Sequence, residues 1–368
     1  MTTTRVIDCS ATESVSTLMR AAIIRSHGGP DAITVEQVPA PRPRSGEVLL
    51  KVQATALNHL DIFARQGLKG IGVPPIRLPH VSGVDIAGCI VEYGPRLEPS
   101  RQHLPEGTRV LVYPSTGCNV CRACRRGDYS MCPQYKIIGE HTWGGLAEYV
   151  KVPAQNVVAI PEAISSTVAA AIPATFTTAW RGVIAVANVG PADRVLVVGA
   201  SGGVGSAQIQ IAVAAGAEVI GTASSATKRE QALALGASAM FDSTGDWESE
   251  VRKWTDGEGV NAVFDCVGGP TVRHSLRCLA MGGCLVLSGA TGGDTADLSI
   301  REIYQWHRRI FGAPMGSWQD FLHVTDLVWR GVLQPVIHSV YPLDEIADAE
   351  RELEERRHFG KIVIQVSE

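Results

Sequence analysis

Seven residues, Gly199-Ala200-Ser201-Gly202-Gly203-Val204-Gly205, constrain this chain more than any other stretch. They stand between a continuous apolar run, Arg194 to Val198, and a helix-forming run, Ser206 to Ala215. An unbroken apolar strand of this kind belongs in a parallel sheet buried on both faces. With Ala200 in first place the spacing is A-x-G-x-x-G. Such glycines permit a tight turn and let backbone N–H groups approach a pyrophosphate at a helix N-terminus, and Gly205 allows the helix to pack closely on the strand. The alternative is a glycine-rich loop of purely structural use. The strand before it and the helix after it favour a dinucleotide site.

The same rhythm continues downstream. Strands are expected at Glu218 to Thr222, Ala239 to Asp242, Ala262 to Cys266, Cys284 to Ser288 and Arg309 to Gly312, with a helix at Lys228 to Leu235. Repeated β-α units of this spacing predict an α/β fold with a doubly wound sheet. Upstream, Arg20 to Arg25, Glu47 to Ala54, Asp85 to Tyr93 and Arg109 to Val112 are short apolar or alternating runs separated by Gly and Pro, which reads as β-rich. The final stretch carries an acidic amphipathic helix, Leu343 to Arg357, and a strand, Lys361 to Val366. It does not extend the β-α series and is expected to return to the first domain. A length of 368 residues suits two domains. The expected division is a loose polar extension over 1–18, a β-rich domain over 19–155, a nucleotide domain over 156–331 and the return over 332–368.

A formal net charge of −4 argues against nucleic-acid or membrane-surface binding driven by bulk charge. Residues 195–217 carry no charge and are long enough to suggest a membrane span, but their glycines, serines and glutamines fit a strand, turn and helix better. The polar N-terminus has no apolar core for a secretory signal, so a cytoplasmic protein is expected.

The end of the second nucleotide-domain strand bears on which dinucleotide is bound. NAD sites place an Asp or Glu there for the ribose 2′-hydroxyl. From Gly221 to Arg229 no carboxylate occurs. Ser224, Ser225, Lys228 and Arg229 would instead accept a 2′-phosphate, which favours NADP(H) over NAD(H). Alternatively, Lys228 and Arg229 are only the solvated first turn of a helix.

Cys118-x2-Cys121-x2-Cys124-x7-Cys132, in a lobe over 115–135, is the most specific chemical signal. Four thiolates at this spacing close a tetrahedral Zn²⁺ shell with no open position, so the zinc is structural. Nine cysteines, an odd number, without a signal peptide favour metal over disulfides. Arg122, Arg125 and Arg126 would offset the charge of such a cluster. A zinc knuckle gripping nucleic acid is the other reading, and the acidic, enzyme-sized chain disfavours it.

Together these features resemble the medium-chain dehydrogenase/reductase superfamily, the zinc-type alcohol dehydrogenases and their quinone oxidoreductase relatives. The resemblance runs from Met19 over nearly the whole chain. Further markers are Gly46-Glu47-Val48-Leu49, Asn58-His59-Leu60-Asp61, the Gly83 to Gly88 segment, Gly144 to Val150 and Phe359-Gly360-Lys361-Ile362-Val363. It implies a GroES-like β-rich catalytic domain plus a doubly wound Rossmann domain, with the active site in the cleft between them. It also implies a small-molecule substrate and a homodimer or homotetramer. It places Thr178 near the nicotinamide, and Val267, Gly268 and Gly289 along the cofactor. Lys361 of the terminal segment is counted with the cofactor contacts.

The departures from the family's pattern carry the functional expectation. The catalytic-zinc Cys is replaced by Asn58, with Asp61 kept. The Gly-His-Glu segment is Gly83-Val84-Asp85, and the stretch around Pro173 to Phe176 offers no third ligand. The residue at the proton-relay position is Leu60. This resembles the quinone oxidoreductase-like reductases, which transfer hydride without a metal. Alcohol oxidation needs a Lewis acid for the alkoxide, whereas a quinone or enone accepts hydride at an activated carbon. Its oxyanion then needs only donors such as the Asn58 amide or His59, with Asp61 orienting its neighbours. Three readings stand: an NADPH-dependent reductase of quinones or α,β-unsaturated carbonyls; an alcohol dehydrogenase with a remodelled metal site, for which His59, Asp61 and His80 are the ligands; and a non-catalytic NADPH-binding protein.

Overall fold

The computed structural model describes residues 16–68, 76–95 and 104–367, so the expected extension over 1–18 lies almost wholly outside the described residues. In chain order the β-rich part contains β1 (Leu18–Ile24), β2 (Ile33–Pro39), β3 (Glu47–Ala56), helix α1 (His59–Gln66), β4 (Asp85–Tyr93), β5 (Arg109–Val112), β6 (Tyr149–Pro153) and β7 (Val157–Ala159). Helix α2 (Pro173–Trp180) leads to β8 (Arg194–Val198), α3 (Gly203–Ala214), β9 (Glu218–Ala223), α4 (Ala226–Ala234), β10 (Ala239–Asp242), β11 (Val260–Asp265), β12 (Leu279–Leu287) and β13 (Arg309–Gly312). Then follow α5 (Trp318–Trp329), β14 (Ile337–Pro342), α6 (Ile346–Glu354) and β15 (Lys361–Gln365).

The second sheet has the order β10-β9-β8-β11-β12-β13, all parallel. This is a doubly wound Rossmann sheet, whose switch point falls between β8 and β11, where ligands bind at the carboxyl ends of the strands. The first sheet runs β14-β15-β3-β4-β5-β7, with β6 also on β3. The last strand pairs antiparallel with β3, Val363 opposite Ala56, so the C-terminus rejoins the first sheet.

One apolar core joins the halves. Ala54, Ala87, Leu111 and Tyr113 of the first half cluster with Ile172 and Phe176 at α2 and with Val195 and Phe264 of the parallel sheet. Helix α2 is therefore a packed strut between the sheets, and residues at its N-terminus sit where the two halves meet.

Several elements differ from the sequence expectation. Helix α3 begins at Gly203, not Ser206, because Gly202 is its extended N-cap and the glycines themselves form the first turn. The stretch expected as one helix from Leu343 is a 3₁₀ turn, Leu343–Glu345, followed by α6. Helices α1, α2 and α5 were not foreseen. Among the described residues no helix is long and apolar enough to cross a membrane.

Candidate active site

The glycine turn is built as a phosphate cradle. Gly199 has φ +81, and a Cβ there would lie 2.8 Å from Val267 Cγ2. A Cβ on Gly205 would lie 2.3 Å from the Gly199 oxygen, so only glycine lets α3 pack this tightly on the turn. At Gly202 the nearest atom to such a Cβ is 3.6 Å away, leaving the backbone open on that side. The first-turn amides of α3 have no helical acceptor, and they carry the positive end of the helix dipole. Open backbone and unspent amides fit a pyrophosphate. The terminal segment closes over the turn, with the Gly360 N–H donating to the Ser201 oxygen at 2.9 Å.

Asp265, at the end of β11, orders the neighbouring loop. Its buried carboxylate accepts from the Val267 and Gly268 amides at 2.9 and 3.0 Å and from Thr271 Oγ1 and Ser275 Oγ, both at 2.7 Å. Sequence reading named Val267 and Gly268 but missed the acid that holds them. Gly289 follows β12, and a Cβ there would be 2.4 Å from the Cys266 oxygen. Thr178, buried in α2, points its hydroxyl at Met315 Sδ, 3.7 Å away. Trp180 packs on His323 of α5.

At the ribose end Ser224 and Ser225 are exposed, and Ser225 Oγ caps α4 by accepting the Lys228 N–H. The two cations expected to be free for a phosphate have partners in this arrangement. Lys228 Nζ donates to the Arg356 carbonyl, and Arg229 reaches Asp242 Oδ2 at 3.0 Å and the Ala223 oxygen.

Opposite the glycine turn lies a buried polar knot. Asn58 is the extended N-cap of helix α1, and its N–H donates to Asp61 Oδ2 at 2.8 Å in the manner of a capping box. Asp61 Oδ1 accepts from the Gly83 amide at 2.9 Å. Burial pushes the Asp61 carboxyl up to about 6, against those two N–H groups and Lys361. Asp85 Oδ1 accepts the Ala174 N–H at 2.7 Å and so caps α2 from across the cleft. Asp85 Oδ2 accepts from Asn58 Nδ2 at 2.9 Å and from Lys361 Nζ at 3.1 Å. Lys361 Nζ also donates to the Leu57 oxygen and Asn58 Oδ1, at 2.6 and 2.7 Å.

This geometry amends two expected roles. Asn58 Nδ2 spends its hydrogens on Asp85 and on the Ala56 oxygen at 3.2 Å, so the amide has no donor left for a substrate oxygen. Lys361 lays its stem against Gly203, but its three N–H donors go to the knot, not to the turn. His59 is different, because among the described residues its ring makes no hydrogen bond. Burial first, then the charges of Arg356 and Lys361, push it down to about 4, with Glu354 opposing. It is a neutral imidazole whose ring N–H has no acceptor among the described residues. His80, by contrast, is spent on the Gly139 oxygen at 2.9 Å.

In the cysteine lobe the four Sγ atoms of Cys118, Cys121, Cys124 and Cys132 lie within 4.8 Å of one another. The amides of Cys121, Cys124 and Gln134 donate to Sγ acceptors at 3.3–3.5 Å, and the Cys118 amide does so at 3.4 Å. Backbone donors from Val120 and Cys121 hold Cys118 down at about 6. Burial and the neighbouring thiols push Cys124 up to about 12, a repulsion that a divalent cation relieves. This is a donor set for structural zinc, and no other His, Cys, Asp or Glu group among the described residues comes close enough to hold a metal.

Comparison with known proteins accounts for both halves. Residues 44–162 match the family model for the alcohol dehydrogenase GroES-like domain, and 203–330 match the zinc-binding dehydrogenase model. An NAD-dependent alcohol dehydrogenase of Sulfolobus acidocaldarius is 32% identical over 95% of this chain and all of its own length. The chain is a medium-chain dehydrogenase/reductase. An acryloyl-coenzyme A reductase of Metallosphaera sedula is 31% identical over 94% of this chain and 99% of its own. A crystal structure of an NAD-dependent alcohol dehydrogenase superposes with a TM-score of 0.89 at 39% identity, covering 95% of this chain and all of the other. This dehydrogenase/reductase is accordingly an NAD(P)H-dependent oxidoreductase, with a GroES-like domain and a Rossmann domain meeting at the polar knot.

Proposed function

We propose that this chain uses NADPH to reduce the C=C bond of a small α,β-unsaturated carbonyl compound, or a quinone, without a catalytic metal. The observation that carries the reading is the knot. Where zinc-type relatives hold their catalytic metal, this chain has Asn58, a buried Val84, Pro173 and Ala174, and a buried Lys361 ammonium. The Asp85 carboxylate of the knot is already paired with that ammonium at 3.1 Å, and a fixed cation beside carboxamide and apolar neighbours is a poor environment for Zn²⁺, which needs unpaired thiolate, imidazole or carboxylate ligands. The relative named acryloyl-coenzyme A reductase supports reduction of a conjugated substrate.

When bound, NADPH supplies the hydride. The first-turn amides of α3 hold its pyrophosphate, and Ser224, Ser225 and Lys228 border its 2′-phosphate. His59 donates a hydrogen bond to the substrate oxygen as charge develops there, with Asp61 fixing the start of its helix. A neutral imidazole can serve here through the N–H that it keeps on one ring nitrogen.

The test is a substrate screen with NADPH: quinones and enones should turn over, and simple alcohols with NADP⁺ should not. His59→Ala should lower kcat about 10²–10³-fold, the usual cost of one oxyanion donor, while leaving the NADPH Kd unchanged. Alcohol oxidation in place of enone reduction would overturn the reading. The wild-type rate should also be free of a His59 limb above about pH 5. His59 is already neutral there, held so by burial and by Arg356 and Lys361, and His358 beside it is also pushed down by burial.

Lys228→Ala should raise KM for NADPH roughly tenfold to a hundredfold. That is the effect of losing a hydrogen bond to a charged group, about 1.5–3 kcal/mol. NADH kinetics should not change. An equal loss with both cofactors would show that Lys228 acts only through its tether to Arg356.

A further inference from the structure

Glu140 is a largely buried carboxyl that none of the roles above uses. It lies in the loop between the Lys136–Ile137 strand and β6, its side chain 15% exposed. Gly139 before it presses on the strip that Asp61 holds: a Cβ on Gly139 would be 2.6 Å from the Gly83 oxygen and 2.9 Å from the Val84 nitrogen. Asp61, which binds the Gly83 amide, is two residues beyond His59 on α1. Glu140 therefore lies on a third element, next to the Gly83–Asp85 strip and within electrostatic reach of Asp61 on α1.

No hydrogen bond to the Glu140 carboxyl occurs among the described residues. His141 Nδ1 lies 3.5 Å from it. That nitrogen already accepts the Ile137 N–H at 3.0 Å, so its lone pair is taken and it brings Glu140 no proton. The other titratable groups around it do not supply a counter-charge. Asp61 faces it with like charge. His80, packed beneath Gly139, is spent on the Gly139 oxygen and is pushed towards the neutral form by burial. A carboxyl with no hydrogen-bond donor and no paired cation among the described residues, and with an acidic neighbour, favours its protonated form. Burial, then Asp61, push Glu140 up to about 7.

We infer that Glu140 is the acid that protonates the α carbon of the reduced substrate. This rests on the reading of the chain as an enone reductase. Hydride from NADPH forms a C–H bond at the β carbon, and the C=C π electrons move to make an enolate whose oxygen His59 holds. The enolate α carbon then takes the proton from the Glu140 carboxyl, forming the second C–H bond and regenerating the C=O. Glu140 is left as carboxylate and regains a proton from solvent. The sum is NADPH plus H⁺ plus enone giving NADP⁺ plus saturated carbonyl.

The experiment follows the α carbon. In D₂O the wild type should place deuterium on one face of the α carbon. Glu140→Gln should give a mixture of faces and a kcat lower by about 10²-fold, the effect of losing a positioned general acid. Glu140→Asp should recover part of the facial selectivity. The wild-type kcat should fall as pH rises through about 7, where Glu140 loses its proton, and Glu140→Gln should lose that limb. On cofactor-free protein, the infrared band of protonated carboxyls titrating near pH 7 should lose the amplitude of one group in Glu140→Gln, with the buried Glu350 and Asp61 supplying what remains. An unchanged NADPH Kd in the variant shows that it is folded. Single-face deuteration persisting in Glu140→Gln, with the same pH limb, overturns the role of Glu140 alone. A wild type that reduces no enone overturns this role and the enone reading together.

Discussion

Protein purified without added metal or chelator will carry one zinc per chain, and Cys124→Ser will carry none. The four Sγ atoms already lie within 4.8 Å of one another and are ringed by backbone N–H donors, so the lobe is organised for a closed thiolate shell. Folding energy is at stake because zinc bound by four thiolates is worth on the order of 10–16 kcal/mol in small peptides. In this chain the lobe is also a brace against the Rossmann half. The Trp318 amide donates to the Gly127 oxygen at 3.0 Å, and Arg181 ties Asp128 at 2.6 Å to Asp320 at 3.3 Å. Tyr113 packs on Trp318 and Phe321, and its hydroxyl donates to the Gly316 oxygen at 2.7 Å.

Loss of the metal should therefore loosen both the lobe and the N-terminus of α5. If roughly 3 kcal/mol of the brace is lost, Tm should fall by about 6–12 °C at the scaling usual for domains of this size. Atomic emission on the purified protein counts the zinc, and calorimetry reads the Tm. Two zincs per chain would overturn the metal-free reading of the knot and direct attention to His59, Asp61 and His80. No zinc in the wild type would overturn the structural site.

The parts legible in sequence were those fixed by local pattern. Strands β4, β5, β8, β10 and β13 begin and end where apolar runs bounded by Gly, Pro or charge begin and end. The glycine turn was legible because its spacing and its flanking elements agree. Helix α1 was missed because it has only eight residues, and its polar face, Asp61 and Arg65, is buried, so hydrophobic periodicity is weak. Helix α5 was missed because its apolar positions are mixed with aromatic and acidic ones whose packing on Tyr113 is a tertiary fact.

The candidate site divides in the same way. Ala200 to Gly205 and the four cysteines are local motifs. The partners of Asn58 are not: Asp85 lies 27 residues away and Lys361 lies 303 away. Only the fold shows that the Asn58 amide is spent and that the His59 ring has no hydrogen-bond partner among the described residues. Glu140 gave no sequence signal, since an acid beside a glycine in a loop is ordinary until its lack of a partner is seen.

Asp85→Ala should be among the most damaging single substitutions in the chain. Asp85 is fully buried, Lys361 has a side chain only 4% exposed, and the two form an ion pair at 3.1 Å. Removing the carboxylate strands the ammonium in the interior and also uncaps α2 at Ala174. Breaking one side of a buried pair costs about 3–5 kcal/mol. Lys361→Met should cost less, because Asp85 keeps the Ala174 and Asn58 N–H donors. The double variant Asp85→Asn, Lys361→Met removes both charges and keeps the amide in place. It should recover much of the loss, with a coupling energy of about 1–3 kcal/mol, as expected for residues in direct contact. Urea unfolding of wild type, Asp85→Asn, Lys361→Met and the double variant, which make one closed cycle, measures it. Additive losses would mean that the two charges do not stabilise one another. A large coupling would show that the knot is held by this pair.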